Sequence, residues 1–384
     1  MVTAYKIPFN KPCFEGKELV YIAEAISRGH ISGDGYFSKK CADFFEKEFG
    51  CSKALLTTSC THALEMAALL LDLKPGDEVI VPDFTFVSTA NAFALHGAKL
   101  VFADIRPDTL NIDETQLEKL ITPRTRAVVP VHYAGVGCEM NAIVEIAHRY
   151  NLLVIEDNAH GLFGKYREQH LGSFGQMSTL SFHETKNITC GEGGALLLND
   201  SSYIERAEII REKGTNRNQF FRGEIDKYTW RDIGSSYLPS DMLAGFLYAQ
   251  IEERLHIMEH RSEIWNRYQE GLEKWATQKG VRLPCVPLHC EQSFHMFYMI
   301  MPCCKDRDAL ISHLNSNNIK AVFHYLPLHL SAMGAKFGAK PGWCPVSERI
   351  SECIIRLPFF NRLSEEEQSF IIDVIKSFRE SNCK

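Results

Sequence analysis

Between about residues 50 and 200, short apolar runs alternate with longer stretches of helical period. The run 54–58 leads into an amphipathic stretch at 61–71, and 78–82 leads into another at 87–96. Strands are predicted at 99–104 and 127–132, the second followed by a helical pattern over 141–150. The stretch 152–155 is continuously apolar and ends in Glu156 and Asp157, and runs at 177–182 and 194–198 complete the series. Strands apolar on both faces and separated by helices belong to a mostly parallel central sheet flanked by helices. The expected fold class is therefore α/β, with ligands gathered at the carboxyl ends of the strands.

The pattern changes after residue 200. A charged helical pattern is followed by a polar, aromatic stretch at 214–237 without clear period. So long a stretch without regular structure is usually functional or disordered. From about 261, two helical patterns and short strands at 295–301 and 321–325 predict a smaller α+β domain. The expected division is 1–260 for a large domain with an N-terminal segment, and 261–384 for the small C-terminal one.

Composition then removes several functions. The 384 residues carry a net charge of −6, with 45% hydrophobic and 23% charged positions. That excludes a basic nucleic-acid footprint and a disordered or coiled-coil chain. The longest apolar stretch, around 63–73, is broken by Glu65 and Asp72 and falls far short of the ~20 residues of a spanning helix. Thirteen cysteines are scattered without a CxxC pair. Residues 1–10 lack the charged head and apolar run of a signal peptide, so free thiols in a reducing cytoplasm are expected. No GxGxxG follows a strand, no Walker A or HExxH pattern occurs, and His183 and Glu184 run on into Thr185 and Lys186. Neither a nicotinamide site nor a metal is expected.

Three strand ends carry candidate chemistry. The turn Thr57, Thr58, Ser59, Cys60, Thr61, His62, Ala63 enters a helix as either an ordinary N-cap or a phosphate site. Asp157, at the mouth of a buried strand, is a cap or a charge partner in a low-dielectric site. Lys186 lies just past a β-rich run and before the return Gly191, Glu192, Gly193, Gly194. It is a surface lysine or a partly desolvated amine suited to Schiff-base chemistry. Pyridoxal 5′-phosphate would use all three, as lysine, acid at the pyridine nitrogen and phosphate cup. Phe86, after another strand end, offers a flat apolar face to its ring.

With these residues the chain resembles, over essentially its full length, the DegT/StrS family of sugar-nucleotide aminotransferases, pyridoxal-phosphate enzymes of fold type I. The resemblance is carried by Gly33, Asp34 and Gly35, the phosphate turn, Phe86, and the run from Val131 through His132, Tyr133 and Ala134 to Gly135. It continues in Glu156, Asp157, Asn158, Ala159 and His160, and in Ser181, Phe182 and His183 ahead of the lysine. In the second domain it rests on His324, Tyr325, Arg356, Leu357 and Pro358.

The resemblance implies that Lys186 bonds the cofactor and shuttles the proton, that Asp157 pairs with the pyridine nitrogen and that Phe86 stacks on the ring. His160 is implied near the ring hydroxyl, and Thr61, His62 and Ser181 at the phosphate. His62 departs from the small residue common there, which leaves its backbone N–H as donor. Ser236 stands where many relatives carry an asparagine that reaches the neighbouring subunit's cofactor. Lysine rather than histidine at 186 implies transamination rather than dehydration at C3. A homodimer with shared active sites is also implied.

The segment 214–223, continuing through 226–232, differs from the shorter equivalent in most relatives. Either it only supports the dimer, or its arginines and aromatics, Arg217 and Arg222 among them, face the nucleotide diphosphate. Asp34, Tyr325 and His329 are further candidate substrate residues. The resemblance implies L-glutamate as donor and dTDP-4-dehydro-6-deoxy-D-glucose as acceptor, aminated at C4 with galacto configuration. The alternatives are the gluco epimer, a 3-keto sugar nucleotide or a non-catalytic regulator. The implied setting is cell-surface polysaccharide synthesis, such as enterobacterial common antigen or an O-antigen.

Overall fold

A computed structural model describes residues 6–14 and 16–379. The strands of the first half are β1 (Lys53–Thr57), β2 (Glu78–Pro82), β3 (Lys99–Ala103), β4 (Thr125–Val128), β5 (Leu153–Asp157), β6 (Lys165–Tyr166), β7 (Gln169–His170), β8 (Met177–Ser181) and β9 (Gly194–Leu198). Seven of them form one sheet in the order β1-β9-β8-β5-β4-β2-β3. Its neighbours pair in parallel except at β9, which runs against both β1 and β8. The mostly parallel sheet expected from the sequence is thus present.

Helices cover both faces. In chain order they are α1 (Glu18–Ser27), α2 (Tyr36–Phe49), α3 (Cys60–Leu70), α4 (Val87–Leu95), α5 (Leu117–Leu120), α6 (Met140–Arg149), α7 (Ile204–Arg211), α8 (Arg217–Phe221) and α9 (Asp241–Glu252). Successive strand side chains point to opposite faces, which is why the runs are continuously apolar. Leu55, Leu196 and Leu198 pack with α3 and α4 residues such as Leu64, Met66 and Phe93. Leu56, Ala195 and Leu197 pack on the other face with Phe37, Phe45 and Leu247.

A separate apolar cluster forms on α10 (Arg254–Lys279), which buries Ile264, Trp265, Tyr268, Leu272 and Trp275 along one stripe. It is joined by α11 (Cys304–Ser316) and, after α12 (Ala332–Lys336) and α13 (Pro345–Cys353), by α14 (Glu365–Ser377). Ser364 and Glu367 close a capping box at the start of α14. Beside them, β10 (Cys290–Glu291) pairs with β6, and β11 (Tyr298–Ile300) with β12 (Ile354–Arg356). Residue 260 lies inside α10, a single unbroken helix.

Several expectations need correction. The stretch 321–325 is no strand: it makes one isolated bridge, Val322 to Arg356, because His324 and Tyr325 turn their rings toward aromatic neighbours. The strand at 295–301 shrinks to β11, its first residues being committed to side-chain bonding described below. The strand expected at 127–132 is β4, which starts at Thr125 and ends at Val128, with one further bridge from Val131 to Asp157 before the turn at Tyr133–Gly135, where Ala134 adopts φ 55°. The stretch 214–237 contains α8 and the bridges Thr215–Trp230 and Glu212–Ser236. The second half holds more helices than the two patterns predicted. Cys303 is disulfide-bonded, whereas the other described cysteines are free thiols. No helix among the described residues is long and apolar enough to cross a membrane.

Candidate active site

The sheet brings the predicted residues to one edge. Because β9 is reversed, its first residue, Gly194, pairs with both Thr57 and Ser181, the last residues of β1 and β8. A methyl at Gly194 would stand 2.4 Å from the backbone of Ser59 and Cys60, so glycine is what lets β9 come against the turn. Ser59 caps α3 by accepting the His62 N–H at 3.1 Å. That engages the group expected to serve a phosphate. The His62 ring is turned aside, bonded to Thr58 Oγ1 and edge-on to Tyr237 at 5.2 Å. The Cys60 and Thr61 N–H groups, at the start of the helix, have no intrahelical acceptor and carry the site's partial positive charge. Thr61 Oγ1 meets Ser88 Oγ at 2.8 Å, joining α3 to the start of α4.

Asp157, only 5% exposed, ends β5 beside these turns. Its Oδ1 accepts the Ala159 N–H at 3.1 Å and its Oδ2 the Thr89 hydroxyl at 2.7 Å. Lys186 sits in a tight loop closed by its own N–H to His183 O and by Glu184 N–H to Gly191 O, both 2.9 Å. The residue is half-buried, yet its amine lies deep among protein atoms. Desolvation pushes the ammonium down to about 8, opposed by the nearby Cys60 and Asp157 and aided by the Arg356 charge.

His160 is buried and its Nδ1 has no hydrogen-bond partner. Burial, with the charges of Lys186 and Arg356, holds its pKa well below the usual histidine value. Its ring stacks on that of His295, 4.2 Å between centroids and 16° between planes. Phe86 precedes α4 with 56% of its surface open, and Tyr325 stands 6.3 Å from it. Burial pushes the Tyr325 phenol above its ordinary pKa. Behind it, Tyr133 OH bonds His324 Nδ1 at 2.9 Å.

Other candidates are placed differently. His329, 1% exposed, is a correction: Nδ1 bonds Asp83 Oδ2 at 2.8 Å and Nε2 bonds Glu348 Oε1 at 2.9 Å. With both ring nitrogens engaged, it has no polar atom left for a substrate. Cys344 lies near the same pair, which reads as a hydrogen-bonded cluster because those bonds occupy the histidine's ligand atoms. Arg217 is paired with Glu212 at 3.2 Å, and Arg222 with Glu208 at 2.8 Å and Glu224 at 2.7 Å. Neither is a free cation awaiting a diphosphate. Asp34, at φ 60°, is ion-paired with Arg211. Ser236 is exposed and bridges to Glu212, while the next residue, Tyr237, accepts the Thr58 N–H at 2.9 Å.

Reasoning from sequence missed Thr89, Asn187, Ser293 and His295. The hydroxyls of Thr85 and Thr89, four apart at the start of a helix and 2.9 Å from one another, were a readable signal. Nothing local marks His295.

These features suit pyridoxal 5′-phosphate on their own chemistry. They comprise an amine of lowered pKa, a buried and oriented carboxylate, a helix start with open N–H groups, an uncovered aromatic face and an unpartnered buried imidazole nitrogen. Together with the sheet they define a pyridoxal-phosphate-dependent aminotransferase of fold type I. The chain belongs to the DegT/DnrJ/EryC1/StrS aminotransferase family, matched over residues 12–376, and is a sugar aminotransferase with pyridoxal phosphate as cofactor. It is 30% identical over 378 residues to GDP-perosamine synthase of Escherichia coli O157:H7, covering 97% of this chain and 98% of that one. It is 31% identical over 382 residues to the spore coat polysaccharide biosynthesis protein SpsC of Bacillus subtilis, covering 96% of each. The PLP form of Spr1654 from Streptococcus pneumoniae superposes with a TM-score of 0.89 at 25% identity, over 97% of this chain and 98% of that one.

Proposed function

We propose that this enzyme transfers an amino group from L-glutamate to C4 of dTDP-4-dehydro-6-deoxy-D-glucose. The products are 2-oxoglutarate and dTDP-4-amino-4,6-dideoxy-D-galactose, the active form is a homodimer with shared sites, and the product feeds cell-surface polysaccharide. The observation that carries the chemistry is the Lys186 amine at about 8, on the same sheet edge as the oriented Asp157. The choice of dTDP rests on resemblance. A GDP-linked ketosugar is the second reading, favoured by the likeness to GDP-perosamine synthase.

When bound, the cofactor supplies the carbon that carries the amino group and a ring that withdraws electrons. Asp157, its plane set by Thr89 and Ala159, would keep the ring nitrogen protonated. The Cys60 and Thr61 N–H groups, with Ser181, would hold the phosphate. Phe86 would offer its exposed face to the ring. Lys186 is the base that takes the Cα proton of glutamate and later delivers a proton to the sugar carbon. An ammonium pushed down to about 8 by burial suits a base that must also return its proton.

The test is the visible absorption of the purified enzyme as L-glutamate and then a sugar nucleotide are added. Glutamate should remove the band of the lysine-bound cofactor, and dTDP-4-dehydro-6-deoxyglucose should restore it. Restoration only by a GDP-ketosugar replaces the nucleotide in the proposal. No band even with added cofactor rejects the role of Lys186.

A further inference from the structure

The segment Ser293, Phe294, His295 reaches the site from the second apolar cluster and is fastened on every side. Ser293 N–H donates to Gly135 O at 3.0 Å, Ser293 Oγ donates to His160 O, and Ser293 O accepts from Asn187 Nδ2 at 2.6 Å. Gly135 sits at φ 88°, and a methyl there would fall 2.0 Å from Ser293 Oγ. From behind, Arg261 on α10 donates Nε to Phe294 O at 2.9 Å and Nη2 to His295 O at 2.6 Å.

The His295 ring completes this bracket. Its Nδ1 lies 3.0 Å from Asn187 Oδ1, and its face lies against His160. A carbonyl can only accept, so Asn187 must point Nδ2 at Ser293 O and Oδ1 at His295, which places the His295 proton on Nδ1. Asn187 is the residue after Lys186, and His160 is three residues beyond Asp157. One ring therefore touches the loop of the lysine with its edge and the loop of the carboxylate with its face. His295 is 7% exposed, so water does not compete for either contact. Burial, with the charges of Lys186, Arg261 and Arg356, holds its pKa well below the usual histidine value. The neutral Nδ1–H form thus persists at working pH.

We propose that His295 is a positioning residue for transamination, fixing the Lys186 loop and the His160 ring in one mutual geometry. This rests on Lys186 being the cofactor-bearing lysine.

The test compares three variants of the holoenzyme. His295→Phe keeps a ring face and removes the donor, Asn187→Ala removes the acceptor from the other side, and His295→Asn places an amide N–H where Nδ1 stood. The visible band is titrated against pH, and the single-turnover rate with glutamate is measured on the same samples. His295→Phe and Asn187→Ala should displace the midpoint of the band in the same direction and slow the turnover about tenfold, with KM moving far less. His295→Asn restores the N–H but not the ring face, so it should return the midpoint part of the way to the wild-type value. Folded variants with the native midpoint and rate overturn the proposal. If His295→Phe does not fold, Asn187→Ala alone decides it. A wild-type protein without a band is a separate failure, that of the Lys186 assignment.

Discussion

Thr89 Oγ1 donates to Asp157 Oδ2 at 2.7 Å, and Thr85 Oγ1 lies 2.9 Å behind it. Because the Thr89 proton goes to the carboxylate, its oxygen accepts from Thr85, and the two hydroxyls form a relay ending on the acid. Ala159 N–H takes the other oxygen. Each Asp157 oxygen is therefore held once, which sets the plane of the group and leaves a lone pair on each.

Thr89→Val, nearly equal in shape, should leave Asp157 Oδ2 without its neutral donor. The expected loss is ~1–3 kcal/mol of stability and about tenfold in cofactor affinity, since the acid can then rotate. Titrating the cofactor-free protein with pyridoxal phosphate measures the second effect. Native affinity would mean that Thr89 does not orient the acid.

Lys186 couples activity to stability. Its amine titrates near 8 in the folded protein against 10.5 ordinarily, so between those values the unfolded chain binds more protons and stability rises with pH. The penalty for a buried ammonium is fully present below about 8 and gone above 10.5. Lys186→Met should abolish turnover yet stabilise the cofactor-free protein at pH 7 by ~1–3 kcal/mol, a gain that fades toward pH 10.5. Urea midpoints at pH 7 and pH 10 read this directly, and equal midpoints for the two proteins at pH 7 would contradict it.

His329→Phe should act on stability and not on recognition. Removing the imidazole takes the ring donor from Asp83 Oδ2 and leaves only the backbone N–H on Oδ1, at a cost of ~1–3 kcal/mol. Wherever enough folded enzyme survives, KM for the sugar nucleotide should stay native. A raised KM at unchanged stability would return His329 to the substrate site.

The sheet could be read from the chain because strands buried on both faces leave an unmistakable apolar run. The positions of Asp157 and Lys186 are legible because Asp157 ends such a run and Lys186 follows another by five residues. What escaped depends on distant partners. His329 takes its role from Asp83, 246 positions away, and His295 takes its role from Asn187, 108 away. His295 also lies in an aromatic run that reads as strand. The arginines differ in having their partners close by. Glu224 stands two residues from Arg222, and Glu212 five from Arg217, so the acids that neutralise them are local and legible in the sequence. The strand at 321–325 failed because alternation reports burial, and here burial faces aromatic rings rather than a neighbouring strand.

The bond from Asn187 Nδ2 to Ser293 O spans 106 positions, and that from Tyr133 OH to His324 spans 191. At ~5–20 residues added per second during synthesis, Lys186 and Asp157 leave the ribosome many seconds ahead of the residues that brace them. A chain ending before residue 293 has the local bonds that close the lysine loop but lacks the Ser293 carbonyl that holds Asn187. The contacts that brace the site therefore close only once the C-terminal part of the chain is present.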